Sequence, residues 1–252
     1  GPGLVGAVLL GVAAAKTLAG LLDIPLIGVN HLEGHLFSTF LENPEAEFPL
    51  VCLLVSGGHT QIVEMASPGA WRVLGSTLDD AAGEAFDKVS KALGMGYPGG
   101  PRIDAAARRG DPTRVALPRP MLDNGYEFSF SGLKTAVLLH LQSSDRASQD
   151  DLCASFQQAV VDVLVTKTMR AARACGARAV AVAGGVAANS GLREHMERAC
   201  RQVGIPLRSP SPALCTDNAA MIARAGWELA RLGWRSPLSL DARPNLPLTS
   251  RL

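Results

Sequence analysis

Residues 48–65 read FPLVCLLVSGGHTQIVEM and carry two strand-length segments around a Gly-Gly turn. Residues 48–55 are an apolar run of strand length, and residues 61–65 form a second run after the small turn at Gly57 and Gly58. Two such runs joined by a short glycine turn predict a β-hairpin. Residues 71–78 follow as a third predicted strand.

A second Gly-Gly turn, at Gly184 and Gly185, follows a predicted strand over residues 178–183 and leads to a predicted helix over residues 190–203. Glycine lets backbone N–H groups approach a phosphate closely, and the dipole at a helix N-terminus favours an anion. A simple tight turn explains either one alone. Two of them, each after a strand, resemble the paired phosphate loops of the actin, Hsp70 and sugar-kinase superfamily. This resemblance implies an α/β fold with a nucleotide bound in the cleft between two similar lobes.

Hydrophobic periodicity predicts the remaining elements. The clearest is a helix over residues 152–175, whose apolar face keeps the 3.6-residue period and which ends at Gly176. A buried strand is predicted over residues 24–29, and residues 96–101 (GYPGGP) are predicted to be a loop. Further helices are predicted over residues 35–41, 79–94 and 103–109. Another follows residues 128–134 and ends at residue 142, and the last extends over about 216–232.

Composition excludes several classes of protein. A chain of 252 residues with 47% apolar residues and 26 glycines is typical of a globular α/β protein and not of a disordered one. Its five cysteines lack C-x-x-C pairing, which predicts reduced thiols in the cytosol. A net charge of +1 gives no general attraction to nucleic acid, so RNA binding would need a local patch.

The first fifteen residues contain almost no polar side chain. Lys16 interrupts this run before the roughly 18–20 residues that span a bilayer, and no basic segment precedes it. We therefore predict no membrane span but a helix that is buried or forms an interface.

His31 and His35 are four residues apart, which puts both on one side of a helix with Cβ atoms roughly 5–6 Å apart. Their rings could bind one metal ion, or they could be two ordinary partly buried histidines. The pattern is not the H-E-x-x-H of zinc proteases, because Glu33 stands in a different position. Asp217 could complete a His-His-Asp set or could simply cap the helix that follows it.

Four acids crowd the predicted helix start at residues 79–87: Asp79, Asp80, Glu84 and Asp87. Acids are stabilised at helix N-termini by the dipole alone, so most of them are predicted to be structural. Asp87 is the predicted exception. His59 is a candidate general base, although one histidine in a hairpin is commonly structural.

Seven motifs occur in order along most of the chain and closely resemble the TsaD family, the bacterial tRNA adenosine threonylcarbamoyltransferases once called O-sialoglycoprotein endopeptidases. The similarity extends from about residue 1 to residue 233. The motifs are residues 30–35 (NHLEGH), 55–60 (VSGGHT), 79–88 (DDAAGEAFDK), 97–101 (YPGGP), 128–134 (FSFSGLK), 183–189 (AGGVAAN) and 215–219 (CTDNA).

The resemblance implies a specific reaction. A threonylcarbamoyl group passes from threonylcarbamoyl-AMP to the exocyclic amine of the adenosine beside the anticodon in tRNAs reading ANN codons, and AMP leaves. One divalent metal, iron or zinc, is implied at His31, His35 and Asp217, and AMP or ATP is implied in the same cleft. The implied substrate-binding residues are Leu54, Val55, Ser56, Gly57, Gly58, Asp87, Gly100, Asp104 and Asn189. The implied partners are tRNA, a paralogous TsaB-type subunit and a small TsaE-type ATPase, in the cytoplasm.

Family members begin with a further segment that carries the first strands of lobe one, and we expect that segment to be missing here. The predicted domains follow from this expectation. Residues 1–49 are the remainder of lobe one, on which the helix over about 216–235 packs back. Residues 50–215 form lobe two with the phosphate loops, and residues 236–252 form an extended tail. The apolar helix at residues 3–20 is the candidate docking face for a partner.

Two other functions are open from the sequence. A truncated lobe could bind a nucleotide without turnover, as an inactive fragment or a scaffold subunit. A metalloprotease would need a water-activating carboxylate beside the metal, and only Glu33 is near. Two interpretations are open for a group of arginines: they could form a local basic cluster that binds RNA, or they could be part of an ordinary solvated face. The residues are Arg108, Arg109, Arg114 and Arg119.

Overall fold

The computed structural model describes residues 1–45, 47–143 and 147–249. The described residues form five strands: β1 (Leu50–Val55), β2 (Thr60–Ser67), β3 (Ala70–Ser76), β4 (Ala179–Ala183) and β5 (Leu207–Arg208). The helices are α1 (Val5–Leu22), α2 (His31–Ser38), α3 (Ala82–Ala92), α4 (Gly99–Ala107), α5 (Ser131–Gln142), α6 (Gln149–Ala174), α7 (Ser190–Val203), α8 (Pro212–Cys215) and α9 (Ala219–Arg231), with a 3₁₀ turn at Gly185–Ala188.

All strands form one sheet in the order β3-β2-β1-β4-β5. β1 pairs antiparallel with β2, where Val55 is opposite Thr60, and parallel with β4, where Leu54 is opposite Ala183. The predicted hairpin and third strand are therefore confirmed. All six residues of β1 are buried, as expected for the central strand of a sheet covered on both faces.

The side chains of β1 alternate between two hydrophobic cores, because successive residues of a strand point to opposite faces. Leu50, Cys52 and Leu54 pack with side chains of α2 and α9 on one face. Val51, Leu53 and Val55 pack on the other face with α3, α4, α5, α6 and α7. The sheet thus forms the middle layer of an α/β/α arrangement. The division into lobes at residues 49 and 215 stays a prediction.

Several boundaries differ from the sequence predictions. Residues 24–29 are not a strand, because their ladder consists of one isolated bridge between Leu26 and Ser236. The loop predicted at 96–101 ends early, since Gly99 already begins α4 and a proline is tolerated in a first helical turn. The last predicted helix, over about 216–232, corresponds to α9, and the short helix α8 just before it was not predicted. The short strand β5 was not predicted.

α1 is not a core helix, so of the two alternatives predicted for it burial is wrong and an interface stays a prediction. Ala19 is its one buried residue, while the side chains of Leu10 and Leu21 are 74% and 78% exposed. In the described parts of the chain, α1 is the one helix whose length and apolar composition would suit a membrane span. Its role as a docking face stays a prediction.

Gly184 lies where the second glycine turn passes the end of β1. Its φ of +93° is in the region that favours glycine, and a Cβ atom there would overlap the carbonyl oxygen of Val55. On the other side of this strand end, the N–H of Gly83 donates to the Ser56 carbonyl at 3.2 Å. The two glycine turns and the start of α3 therefore meet at the C-terminal end of β1.

We expect Gly184→Ala to lower the free energy of unfolding by at least about 3 kcal/mol, from backbone strain plus overlap with Val55. Gly185→Ala is the matched control, because a Cβ there meets nothing within 4 Å and its φ is not positive. The control should stay within about 1 kcal/mol of the parent in urea titrations. Equal stability of the two variants would contradict this account of the turn.

Candidate substrate cleft and metal centre

The two histidines of α2 are aligned by the way the helix begins. The side chain of Asn30 accepts a hydrogen bond from the N–H of Leu32 at 2.8 Å, which caps the helix so that it starts at His31. His31 and His35 are then one turn apart on the same side, with ring centroids 4.8 Å apart and planes at 86°. The helix thus begins earlier than predicted, and the predicted alignment is present.

Asp217 reaches this pair from the segment between α8 and α9. It does not cap α9, because the Asn218 side chain accepts the hydrogen bond from the N–H of Met221 at 2.9 Å. The Asp217 carboxylate is free to approach the histidines instead. Its Oδ1 lies 3.4 Å from His31 Nε2 and 3.2 Å from His35 Nε2. These hydrogen bonds hold the pKa of Asp217 well below its ordinary value.

The donor set fits a divalent metal ion. The three ligand atoms lie within 4.8 Å of one another, and two imidazoles with one carboxylate suit zinc or iron. His35 is 1% exposed, and its Nε2 faces the shared ligand position because that nitrogen is the one within 3.2 Å of Asp217 Oδ1. Among the described residues, Nδ1 of His35 has no hydrogen-bond partner. The Asp217 side chain is 76% exposed, which leaves the set open on one side.

His59 lies near this set, in the turn between β1 and β2. Burial lowers the pKa of His59, and the neighbouring charges of His31 and His35 lower it further. A lowered pKa favours the neutral imidazole, which is the form that can accept a proton. Its role as a base stays a prediction.

A cavity of about 700 Å³ lies beside the glycine turns, between the start of α4 and the 3₁₀ turn. Thr216, the neighbour of Asp217, also lines it. The cavity therefore reaches the segment that supplies the carboxylate of the metal set. Predicted residues that line it are Gly57, Asp87, Gly100, Asp104 and Asn189.

The other predicted residues do not line this cavity. The side chains of Leu54 and Val55 are fully buried in the sheet, so they can act only through their backbone or by supporting the turn. Ser56 uses its Oγ to accept a hydrogen bond from the N–H of His59 at 3.2 Å, which stabilises the turn. Gly58 lies in the same turn and is exposed.

Both cavity acids have defined partners. Asp87 Oδ1 accepts a hydrogen bond from the N–H of Gly99 at 2.7 Å, which ties the start of α4 to α3. Asp104 accepts from Ser190 Oγ at 2.7 Å and from the Arg108 guanidinium at 3.2 Å. Ser190 was not predicted, because its proximity to Asp104 depends on how α4 meets α7. Arg108 lies four residues after Asp104, the spacing at which two side chains pair along one helix.

Comparison with known proteins assigns the family. Residues 1–224 match the TsaD family, described as tRNA N6-adenosine threonylcarbamoyltransferase. This chain belongs to the TsaD family. A relative of that name from Symbiobacterium thermophilum is 58% identical over 251 residues, an alignment covering 98% of this chain and 74% of the relative. Another from Thermotoga neapolitana is 53% identical, with 98% and 76% covered.

Solved structures agree on the fold of this TsaD-family chain. HypF from T. kodakarensis aligns with a TM-score of 0.70 at 15% identity, covering 88% of this chain and 39% of HypF. Component A of (R)-2-hydroxyglutaryl-CoA dehydratase from Acidaminococcus fermentans aligns with a TM-score of 0.50 at 15% identity, covering 84% and 70%. The predicted α/β fold class is confirmed.

Asp79 connects the segment before α3 to the FSFSGLK motif of this TsaD-family chain. Asp79 accepts hydrogen bonds from the hydroxyls of Ser129 and Ser131, both at 2.5 Å, and from the N–H of Phe130 at 2.8 Å. Burial alone would raise the pKa of the Asp79 carboxyl, but these hydrogen bonds outweigh it and the pKa lies below its ordinary value. Asp80 pairs with Lys88 at 2.7 Å. These contacts favour the predicted structural role of Asp79 and Asp80.

The arginine cluster is not a free positive patch. Arg108 pairs with Asp104, Arg109 with Asp150 at 2.7 Å, and Arg119 with Asp162 at 2.8 Å. These ion pairs offset the positive charge of three of the four arginines, which favours the interpretation as an ordinary solvated face.

The Asp87 contact gives a prediction for binding of AMP, the leaving group expected from the family reaction. Asp87→Ala should weaken AMP binding about tenfold, because losing a charged acceptor frees the Gly99 end of α4. Asp87→Asn keeps an oxygen for the N–H of Gly99 and should bind AMP more tightly than the alanine variant. Calorimetric titration measures the AMP affinity of both variants. An equal loss of affinity in the two would show that the hydrogen bond to Gly99 does not shape the cavity for AMP.

Proposed function

We propose that the chain transfers a threonylcarbamoyl group from threonylcarbamoyl-AMP to N6 of the adenosine beside the anticodon in ANN-decoding tRNAs, releasing AMP. The main observation in support is the His31-His35-Asp217 set next to a glycine-lined cavity, in a member of the TsaD family. Thr216 borders the cavity and Asp217 belongs to the set, so donor and acceptor groups can meet at this point.

The cavity residues suit the adenylate part of this donor. Asp87, Asp104 and Asn189 offer oxygens and an amide for ribose hydroxyls and the edge of the base. Gly57 and Gly185 lack side chains, so a phosphate can approach their backbone closely. Backbone N–H groups that face the leaving phosphate would stabilise the negative charge it gains.

Proton transfer completes the reaction. The N6 nitrogen forms a bond to the carbamoyl carbon, the bond from that carbon to the phosphate oxygen breaks, and AMP leaves with the bonding pair. The nitrogen then loses one proton. His59, which burial keeps neutral, is the candidate acceptor.

His31, His35 and Asp217 would hold one zinc or iron ion. Such an ion, when bound, polarises a carbonyl or phosphate oxygen. The protein positions the ligand atoms through the Asn30 cap of α2 and the Asn218 cap of α9.

The two alternatives have less support. Glu33, the carboxylate that a metalloprotease would need, is buried and lies about 200° around α2 from His31, on the opposite side of the helix. An inactive nucleotide-binding subunit would not need the His-His-Asp set, whose three ligand atoms converge here.

We infer the partners and the cellular location of the protein from its membership of the TsaD family. With a net charge of +1 and paired arginines, tRNA binding by the isolated chain should be weak and salt-sensitive, so a TsaB-type subunit and a TsaE-type ATPase would extend the surface. The exposed leucines of α1 are the proposed docking face for such a subunit. Five free cysteines are consistent with the cytoplasm.

Activity is tested by transfer of the threonylcarbamoyl group to tRNA, with the bacterial partner proteins supplied, in this chain and in His31→Ala. We expect modified tRNA with the parent and a loss of at least about 100-fold with the variant. AMP binding without transfer by either protein would favour the inactive nucleotide-binding alternative.

Metal content is a separate prediction. The parent should bind one zinc or iron ion per chain, while His35→Ala and Asp217→Ala should each weaken metal binding by at least about tenfold. His195→Ala is the control, because that histidine lies on α7 and contacts Gly191 and Gln158. Elemental analysis after dialysis measures the content, and equal loss in the His195 variant would contradict the assigned ligands.

A further inference from the structure

The side chain of Asn189 is held by two hydrogen bonds of opposite polarity. Its Oδ1 accepts from the N–H of Leu192 at 2.9 Å, which caps α7, and its Nδ2 donates to Gln157 Oε1 at 2.6 Å. Reversing the amide would place a donor against the N–H of Leu192 and an acceptor against Oε1. The second hydrogen of Nδ2 and the second lone pair of Oδ1 therefore keep fixed directions beside the cavity.

Gln157 is a polar residue in the buried part of α6. It is 8% exposed, and its neighbour Phe156 is fully buried. Burying an amide costs free energy unless it is hydrogen-bonded, and the bond from Asn189 supplies that compensation. Gln157 itself does not line the cavity. Its hydrogen bond to Asn189, which does line the cavity, is therefore a direct route by which it can act on a ligand.

Gly191 provides the space for this pair. A Cβ atom at Gly191 would lie 2.8 Å from Gln157 Nε2 and 3.4 Å from Asn189 Oδ1. The backbone of Gly191 does not have a positive φ, so what glycine provides here is space beside the Gln157 amide and not a special conformation. The sequence Asn189-Ser190-Gly191 thus places a binding residue and leaves room for the group that orients it.

We propose that Gln157 is a positioning residue for the nucleotide, which fixes the amide of Asn189 in the orientation that the cavity presents to a ligand. This inference rests on the proposed role of Asn189 in nucleotide binding. Gln157 sets the direction of the Asn189 donor and does not touch the ligand.

The test is a double-mutant cycle that measures AMP binding by calorimetry in the parent, Gln157→Met, Asn189→Ala and the double variant. Methionine fills similar volume without an acceptor, and we expect it to weaken AMP binding about fivefold. In the Asn189→Ala background the same change should add no further loss, because the residue through which Gln157 acts is gone. A merely structural role would instead give losses that add.

Two further variants complete the test. Gln157→Glu keeps an oxygen for Asn189 Nδ2 and should bind AMP more tightly than Gln157→Met. If Gln157→Met fails to fold, Gly191→Ala replaces it, since a Cβ there displaces Gln157. Thermal melts of every variant show whether it is folded at the titration temperature.

The outcomes separate the two claims. Weaker AMP binding by Asn189→Ala, together with unchanged binding by Gln157→Met or with additive losses, would overturn the positioning role and leave the proposed function intact. Unchanged AMP binding by Asn189→Ala would overturn the nucleotide role of Asn189 and the inference that rests on it.

Discussion

The close approach of the chain to the end of β1 is the constraint on which the cleft depends. β1 is buried on both faces, so its C-terminal end is fixed by two cores at once. Gly184 passes against the Val55 carbonyl with no room for a side chain, and Gly83 lies against Ser56 and Gly57 from the other side. Three segments far apart in sequence thereby come together at one strand end.

The parts of the fold set by local chemistry could be predicted from sequence. The hairpin over β1 and β2 follows from two apolar runs and a glycine turn, and α7 follows from its capping Asn189 and its apolar period. The strand predicted over residues 24–29 is absent for a physical reason. An apolar run becomes a strand only where a neighbouring strand supplies hydrogen bonds, and here Ser236 supplies a single bridge.

The site shows the same division between local and tertiary information. The spacing of His31 and His35 fixes their alignment once the helix forms, so the pair could be predicted. Whether Asp217 or Asn218 caps α9 could not, because both residue types are good N-caps one position apart. Likewise, the pairing of Arg109 with Asp150 and of Arg119 with Asp162 depends on α6 packing beside the preceding segment.

The charges around the cavity limit how an anionic donor can be held. Arg108 is the one cationic side chain among the described residues that line it, and Arg108 is already bound to Asp104. Asp87 adds a second negative group. A phosphate in this cavity would therefore depend on backbone N–H groups of the glycine turns and on a cation held by His31, His35 and Asp217. In the proposed reaction the glycine turns and the His-His-Asp set would therefore act together on one anion, at the edge of a cavity whose side chains carry a net negative charge.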